Sequence, residues 1–134
     1  MTKRELKSRH EIFLEEYEKK VRIEGNAAVD IAKTMILPAV RAEYLEAAKA
    51  YNETDESNVK VAAEMLNRQM TELGNGLVKM QAAIDDLDRA LKNFDTADTL
   101  ARMAELRKVA DSLETVVSND KWPLPKYREM LFLY

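Results

Sequence analysis

The chain has 134 residues, 46% of them hydrophobic, which suffices for one elongated core and predicts a single domain over residues 1–134. Its 21 basic and 24 acidic residues are interspersed and give a net charge of −3, so no basic face marks the chain for nucleic acid. The lack of cysteine excludes disulfides and thiolate chemistry and suits a cytoplasmic protein. The charged first residues do not form a secretory signal, and no apolar run is long enough to span a membrane.

The first predicted element is a helical region over residues 3–51. Only three glycines and three prolines interrupt the chain, which is rich in helix-forming residues. Pro38 removes one backbone hydrogen bond and crowds the preceding turn, so a kink is expected there, because apolar spacing resumes at Val40. The apolar residues spaced seven apart before it are Leu14, Val21, Ala28 and Met35.

The second predicted element is a long helix over residues 58–94, which follows a polar turn at residues 52–57. Its apolar residues alternate spacings of four and three without a break, which indicates a narrow packing seam. Gly74 and Gly76 lie inside it and predict local fraying or a close backbone approach. The seam consists of Val59, Ala63, Leu66, Met70, Leu73, Leu77, Met80, Ile84, Leu87, Leu91 and Phe94.

The third predicted helix opens after Asp95, whose carboxylate can cap it, and ends near residues 118–120. Trp122 to Pro125 must be extended because proline disfavours helix in the residue before it, and residues 126–132 are expected to form a short final helix. The fold prediction is an all-α, elongated antiparallel three-helix bundle, its first helix kinked at Pro38, with a docked C-terminal tail. The inward face of the third helix is predicted to carry Leu100, Met103, Leu106, Ala110, Leu113 and Val117.

Few residues of the sequence are candidates for a metal-binding or catalytic site. His10 is the only histidine, and Lys7 stands where a di-iron bundle would need glutamate, so metal binding by histidine is not expected. Asp85, Asp86 and Asp88 point in different directions around a helix, which favours a solvated face over a cation site.

Glu24 and Asp30 adjoin isoleucines on the first helix, so we expect them to be half-buried and held by a basic partner such as Arg22 or Lys33. The glycine pair at residues 74 and 76 lies within a helix and matches no nucleotide-binding fingerprint. The residues therefore predict a non-catalytic helical bundle with no catalytic, cofactor-binding or metal-binding residues.

Two segments are more distinctive than helical periodicity requires. The first begins with ELKSRHEI at residues 5–12 and continues through Tyr17, Val21 and residues 30–33 to ILPA at residues 36–39. The second is KWPLPKY at residues 121–127, closing on residues 130–132. Together they resemble the C-terminal region of type III glutamine synthetases, while residues 42–119 match only in helical character.

The resemblance implies an assembly domain of an enzyme that joins ammonia to glutamate using ATP, with the catalytic region, its ATP and its divalent metal lying outside this chain. The implied partners are that catalytic region and neighbouring subunits of a homo-oligomer. No cofactor is expected in this chain, and no glutamine synthetase activity is expected from it alone. The residues expected to pack or form an interface are Trp122, Pro123, Leu124, Pro125, Tyr127, Leu131 and Phe132.

Two other classes of protein remain open from the sequence. A free-standing helical adaptor would bind a partner helix or peptide in a groove, as open bundles do. A carboxylate metalloenzyme would contain iron or manganese.

Overall fold

The computed structural model describes residues 2–56 and 60–125, and no strand occurs among them. Four α-helices follow one another: α1 (Lys3–Ile31), α2 (Leu37–Glu56), α3 (Lys60–Lys92) and α4 (Thr96–Glu114). A π-helical segment, Ala32–Ile36, joins α1 to α2. The prediction of an all-α bundle is therefore confirmed. The final helix predicted at residues 126–132 lies outside the described residues.

Helix α1 begins with a reciprocal cap. The backbone N–H of Glu5 donates to the Thr2 hydroxyl, and the backbone N–H of Thr2 donates to the Glu5 carboxylate, each over 3.2 Å. These two hydrogen bonds provide acceptors for backbone N–H groups that have no acceptor within the helix at its start. Helix α1 is thus defined from its first turn.

The interruption expected at Pro38 takes the form of the π-helical segment just before it. The backbone N–H of Leu37 donates to the carbonyl of Ala32, five residues back rather than four. This wider turn makes room for the proline ring and absorbs the loss of its N–H. The helical run continues on both sides, from Lys3 through the π segment to Glu56.

Helix α3 is central, because α2 and α4 both pack against it and the second half of α1 also contacts α3 and α4. It is about 50 Å long at about 1.5 Å per residue. The short connection at residues 93–95 makes α3 and α4 antiparallel neighbours. From Leu73 onward the predicted seam is largely buried, and its fully enclosed members are Leu73, Met80, Ile84 and Leu87.

The prediction of a turn at residues 52–57 is wrong over most of this range, since α2 continues to Glu56. This polar stretch contains no glycine or proline that would break a helix, and the Thr54 hydroxyl donates back to the carbonyl of Ala50 over 2.7 Å. Asp55 therefore belongs to α2. Ser57, the last residue of the predicted turn, lies outside the described residues.

The predicted start of α4 is confirmed, because the Asp95 carboxylate accepts from the backbone N–H of Ala97 over 3.0 Å. The inward face of α4 differs from the predicted one at one position. Leu100 is exposed and Thr99 is fully buried in its place. The spacing from Thr99 to Met103 continues the alternation of four and three along the helix, whereas Leu100 falls beside that line.

Two glycines mark close helix contacts. A Cβ atom on Gly76 of α3 would lie 2.3 Å from Cδ2 of Leu113 in α4, and one on Gly25 of α1 would lie 2.8 Å from Cδ2 of Leu91. Both distances are too short for two carbon atoms that are not bonded to each other. Glycine, which has no side chain, therefore allows α3 to approach α4 and α1 to approach α3 this closely. Gly74 is different, since its Cβ would make an ordinary 3.6 Å contact with Tyr44.

Alanine at the two neighbouring glycines of α3 should change stability in opposite directions. Gly76→Ala should lower the free energy of unfolding by about 1 kcal/mol, because overpacking against buried Leu113 costs about 1–3 kcal/mol and the gain in helix propensity is about 1 kcal/mol. Gly74→Ala should raise it by about 0.5–1 kcal/mol through propensity alone. Urea unfolding followed by circular dichroism measures both, and equal shifts would contradict the close contact at Gly76.

Candidate functional site

The segment after α4 is fixed to α2 by a polar cluster that we call the tail clamp, consisting of Glu43, Glu46, Ser118 and Lys121. The Ser118 Oγ atom lies 2.9 Å from Oε1 and 2.8 Å from Oε2 of Glu43, so its hydrogen is shared between the two carboxylate oxygens. Lys121 Nζ lies 2.9 Å from Glu43 Oε2 and also pairs with Glu46. The clamp thus joins residues 75 positions apart in the chain.

A backbone turn that begins at Ser118 positions the clamp residues of the tail. The backbone N–H groups of Lys121 and Trp122 both donate to the carbonyl of Ser118, over 3.1 and 3.0 Å. This turn directs Lys121 towards α2 while Trp122 enters the core. On α2, Glu43 and Glu46 lie three residues apart and therefore on neighbouring positions of one face.

Glu43 stands at an inward-facing position of α2, and only 8% of its surface is exposed. Burial by itself opposes ionisation of a carboxylate, but hydrogen bonds from Lys121 and Ser118 outweigh it and hold the pKa of Glu43 below its ordinary value. The hydrogen bonds that Lys121 donates to Glu46 and Glu43 raise the pKa of Lys121. Both groups are therefore charged at neutral pH, and the pair is intact there.

Trp122 lies 8% exposed in the main hydrophobic cluster, and Leu124 packs against that cluster while partly open. An apolar groove of about 520 Å³ runs beside them, between the second half of α1, the π segment and α4. Its floor includes Ile36 and Leu106, and its rim includes Pro125. The start of the tail therefore forms one wall of a groove.

The other residues predicted to pack or form an interface have different environments. Pro123 and Pro125 are exposed. Tyr127, Leu131 and Phe132 lie outside the described residues, so their roles stay predictions.

The buried carboxylate predicted at Glu24 or Asp30 is misplaced, because both are exposed. Arg22, one of the partners suggested for them, lies instead over the ring of Phe94, 4.3 Å from its centroid. The buried carboxylate is Glu43, and one sequence signal could have found it. Ile36, Val40 and Ala47 follow helical spacing around position 43, so the glutamate replaces an apolar residue in that seam.

The acidic cluster on α3 forms surface ion pairs. Asp86 lies 3.5 Å from Arg89 and 3.7 Å from Arg102 of α4, and Asp88 lies 3.6 Å from Lys92. These side chains are well exposed, so each pair contributes little to stability. Across residues 2–56 and 60–125, no group of three His, Asp or Glu side chains could hold a metal ion, and no helix is long and apolar enough to cross a membrane.

A second candidate surface is the first part of α1, which leaves the bundle. Residues 3–20 of this helix are all exposed, and the first buried residue is Val21. Leu6, Phe13 and Tyr17 are 61%, 64% and 42% exposed, and their spacing of seven and four residues places them on one face. We call this face the α1 stripe. A row of exposed apolar side chains on a projecting helix is typical of a contact surface.

The tail clamp predicts an acid-sensitive tail. Because the pKa of Glu43 is lowered in the folded chain, its stabilising contribution is fully present above its ordinary pKa of 4.5 and is lost as the pH falls through the lowered value. Glu43→Gln should lower the free energy of unfolding at neutral pH by about 1 kcal/mol and remove this acid-dependent contribution. Trp122 is the only tryptophan, so its fluorescence during an acid titration reports release of the tail.

Glu46→Gln is the matched control, since Glu46 pairs with the same lysine while its side chain is 67% exposed. Glu46→Gln should change the free energy of unfolding and its acid dependence much less than Glu43→Gln does. Equal acid titrations of the two variants would contradict the role given to Glu43.

Trp122→Ala should destabilise the bundle by about 2–4 kcal/mol, because it removes a large apolar side chain from the core and leaves a cavity there. Trp122→Phe, which keeps an aromatic ring in place, should cost clearly less. Chemical unfolding followed by circular dichroism compares the two. If Trp122→Ala left the midpoint unchanged, the tail would not contribute to the core.

Comparison with known proteins relates this architecture to one family. Residues 1–55 match the family model of the glutamine synthetase C-terminal domain, a span that contains α1, the π segment and nearly all of α2. The chain is 30% identical to the type-3 glutamine synthetase of Dictyostelium discoideum, and the alignment covers 96% of the chain.

Two bacterial relatives match over similar lengths. The chain is 30% identical to a glutamine synthetase of Butyrivibrio fibrisolvens over 98% of its length and 27% identical to that of Bacteroides fragilis over 96%. It spans 20% of the length of each of these three relatives. No solved structure matches the chain. By these alignments the chain belongs to the glutamine synthetase C-terminal domain family and corresponds to the C-terminal part of type 3 enzymes.

Proposed function

We propose that this chain is a non-catalytic assembly domain of a glutamine synthetase, which braces contacts between the catalytic region and neighbouring subunits. The parent enzyme would ligate ammonia to glutamate with ATP, and its ATP and divalent metal would be bound outside this chain. The relatives are named glutamine synthetases, and the proposal takes the identity of the parent enzyme from these names. The role of this part rests on its own surfaces.

The single observation that carries the proposal is the α1 stripe. An isolated helical segment of this length is marginal in water, because most helical stability in proteins comes from packing of an apolar face. Residues 3–20 have no such packing within the described chain. A partner surface would bury Leu6, Phe13 and Tyr17 and hold the segment in place.

The tail clamp supports the same role from the other end of the chain. It fixes the segment after α4 on α2, the helix that continues directly from α1 through the π segment. The tail and the projecting helix are therefore connected through one stiff helical run. A contact made by the α1 stripe would be supported by a bundle that cannot easily move relative to it.

The second candidate is a free-standing adaptor that binds a partner helix or peptide. The observation that favours it is the apolar groove of about 520 Å³ between the π segment, α4 and the tail. Grooves of this kind accept amphipathic helices. The two candidates differ in which surface is functional, the α1 stripe or the groove.

Removal of this segment from the parent enzyme tests the first candidate. Light scattering and a glutamine-forming assay, run in parallel on enzyme with and without the segment, should show a smaller assembly after removal. Phe13→Glu in the intact enzyme should have the same effect, because a charge replaces the centre of the α1 stripe. Val78→Glu is the matched control, since Val78 is an equally exposed apolar residue on α3.

Val78→Glu should leave assembly and activity unchanged. If clean removal of the segment also changed neither, the bracing role would be wrong, and the adaptor would be the better account of the chain.

A further inference from the structure

The groove beside Trp122 is lined almost entirely by apolar side chains. Three charged residues line its α4 side, and the other lining residues are alanine, isoleucine, leucine, methionine, proline and tryptophan. Part of this apolar surface is open, since Ile31 of α1 is 37% exposed and Ala104 of α4 is exposed as well. Concave apolar surface of this kind is typical of a place where another apolar group binds.

The tail brings the chain to the rim of this groove. The turn that begins at Ser118 returns the chain from the C-terminal end of α4, and Trp122, Leu124 and Pro125 all line the groove. The described residues end at Pro125, so residues 126–134 follow directly from the rim.

The length of this following segment is sufficient to cover the groove. The α4 residues of the lining, from Met103 to Glu114, extend over about 17 Å at about 1.5 Å per residue. Residues 126–134 can span about 30 Å when fully extended. Reach therefore places no limit on contact between this segment and the groove.

The sequence of the segment is strongly apolar. Six of its nine residues are apolar or aromatic, whereas 46% of the whole chain is hydrophobic. Tyr127, Met130, Leu131 and Tyr134 follow the spacing i, i+3, i+4 and i+7, the pattern of one apolar helical face. A groove between helices is a common binding site for such a face.

We propose that residues 126–134 of the same chain occupy the apolar groove, with Tyr127, Met130, Leu131 and Tyr134 against its lining. The covalent connection at Pro125 favours this occupant over a separate partner. A segment attached at the rim has an effective concentration in the millimolar range, and any partner in solution must compete with it. The groove is then closed by the chain itself, and a partner peptide binds there only by displacing the segment.

Cross-linking tests this placement in the intact 134-residue chain. The chain contains no cysteine, so two introduced cysteines are its only thiols. One substitution is Leu133→Cys, which lies outside the apolar spacing of the segment, and the other is Ala104→Cys in the groove. At low protein concentration a short bismaleimide should join the two positions within one chain, and mass spectrometry identifies the linked peptides.

Ala101→Cys is the matched control for Ala104→Cys. Both alanines are exposed on α4, but Ala101 lines the space between α3 and α4 and not the apolar groove. Linking of Leu133→Cys to position 101 should be about tenfold slower than to position 104, because a bound segment is concentrated near one face of the helix only. Equal rates at the two positions would overturn the proposal.

A mixture of single variants distinguishes the same chain from a second copy as the source of the segment. Chains with Ala104→Cys alone and chains with Leu133→Cys alone, mixed at the same total concentration, should give no linked dimer. If linked dimers formed in the mixture as fast as the link within one chain, the segment of a second copy would occupy the groove, and the proposal would be wrong.

A stability comparison gives an independent measurement without a cross-linker. Ala104→Glu places a charge on the groove lining, so it should lower the melting temperature of the 134-residue chain by about 2–5 °C more than Ala101→Glu does. In chains that end at Pro125 this difference should disappear, since the segment that the charge opposes is absent. The same difference at both chain lengths would contradict the proposal. None of these measurements involves the parent enzyme, so this inference and the assembly role are tested separately.

Discussion

Glu43 occupies a position in α2 where helical spacing calls for an apolar side chain, and a buried carboxylate there needs hydrogen-bond donors. Ser118 and Lys121 supply them from the segment after α4. Their position brings Trp122 into the core, because the same turn presents the lysine and the tryptophan. The charged carboxylate of Glu43 thus holds the start of the tail against α2, and the tail in turn forms one wall of the groove beside Trp122.

Helix α3 provides the frame on which this clamp acts. Its seam is buried from Leu73 onward, and Gly76 lets α4 approach closely enough for Leu113 to lie against the α3 backbone. Gly25 has the same effect where α1 passes Leu91. The second half of α1 is held in this way, whereas residues 3–20 extend past the bundle. One helix therefore contains both a core element and an exposed apolar face.

Division of α1 into a packed half and an exposed half suits a domain that joins larger parts. The packed half continues through the π segment into α2, so continuous helix joins the projecting half to the helix that contains Glu43 and packs on α3. Wide π turns commonly occur at functional positions in helices. Here the turn accommodates Pro38 without ending the helix, so α1 and α2 form one continuous helical run.

The sequence alone predicted the three long helical runs, the buried part of the α3 seam, the cap at Asp95 and the helical continuity through Pro38, because these features depend on local spacing and backbone chemistry. It also identified the family, through short motifs at both ends. Only the tertiary structure decided that Glu43 meets Ser118 and Lys121, that Thr99 replaces Leu100 in the core and that residues 3–20 are exposed among the described residues. These depend on which helix lies beside which, and the residues that meet at the clamp are 75 positions apart, beyond the reach of periodicity.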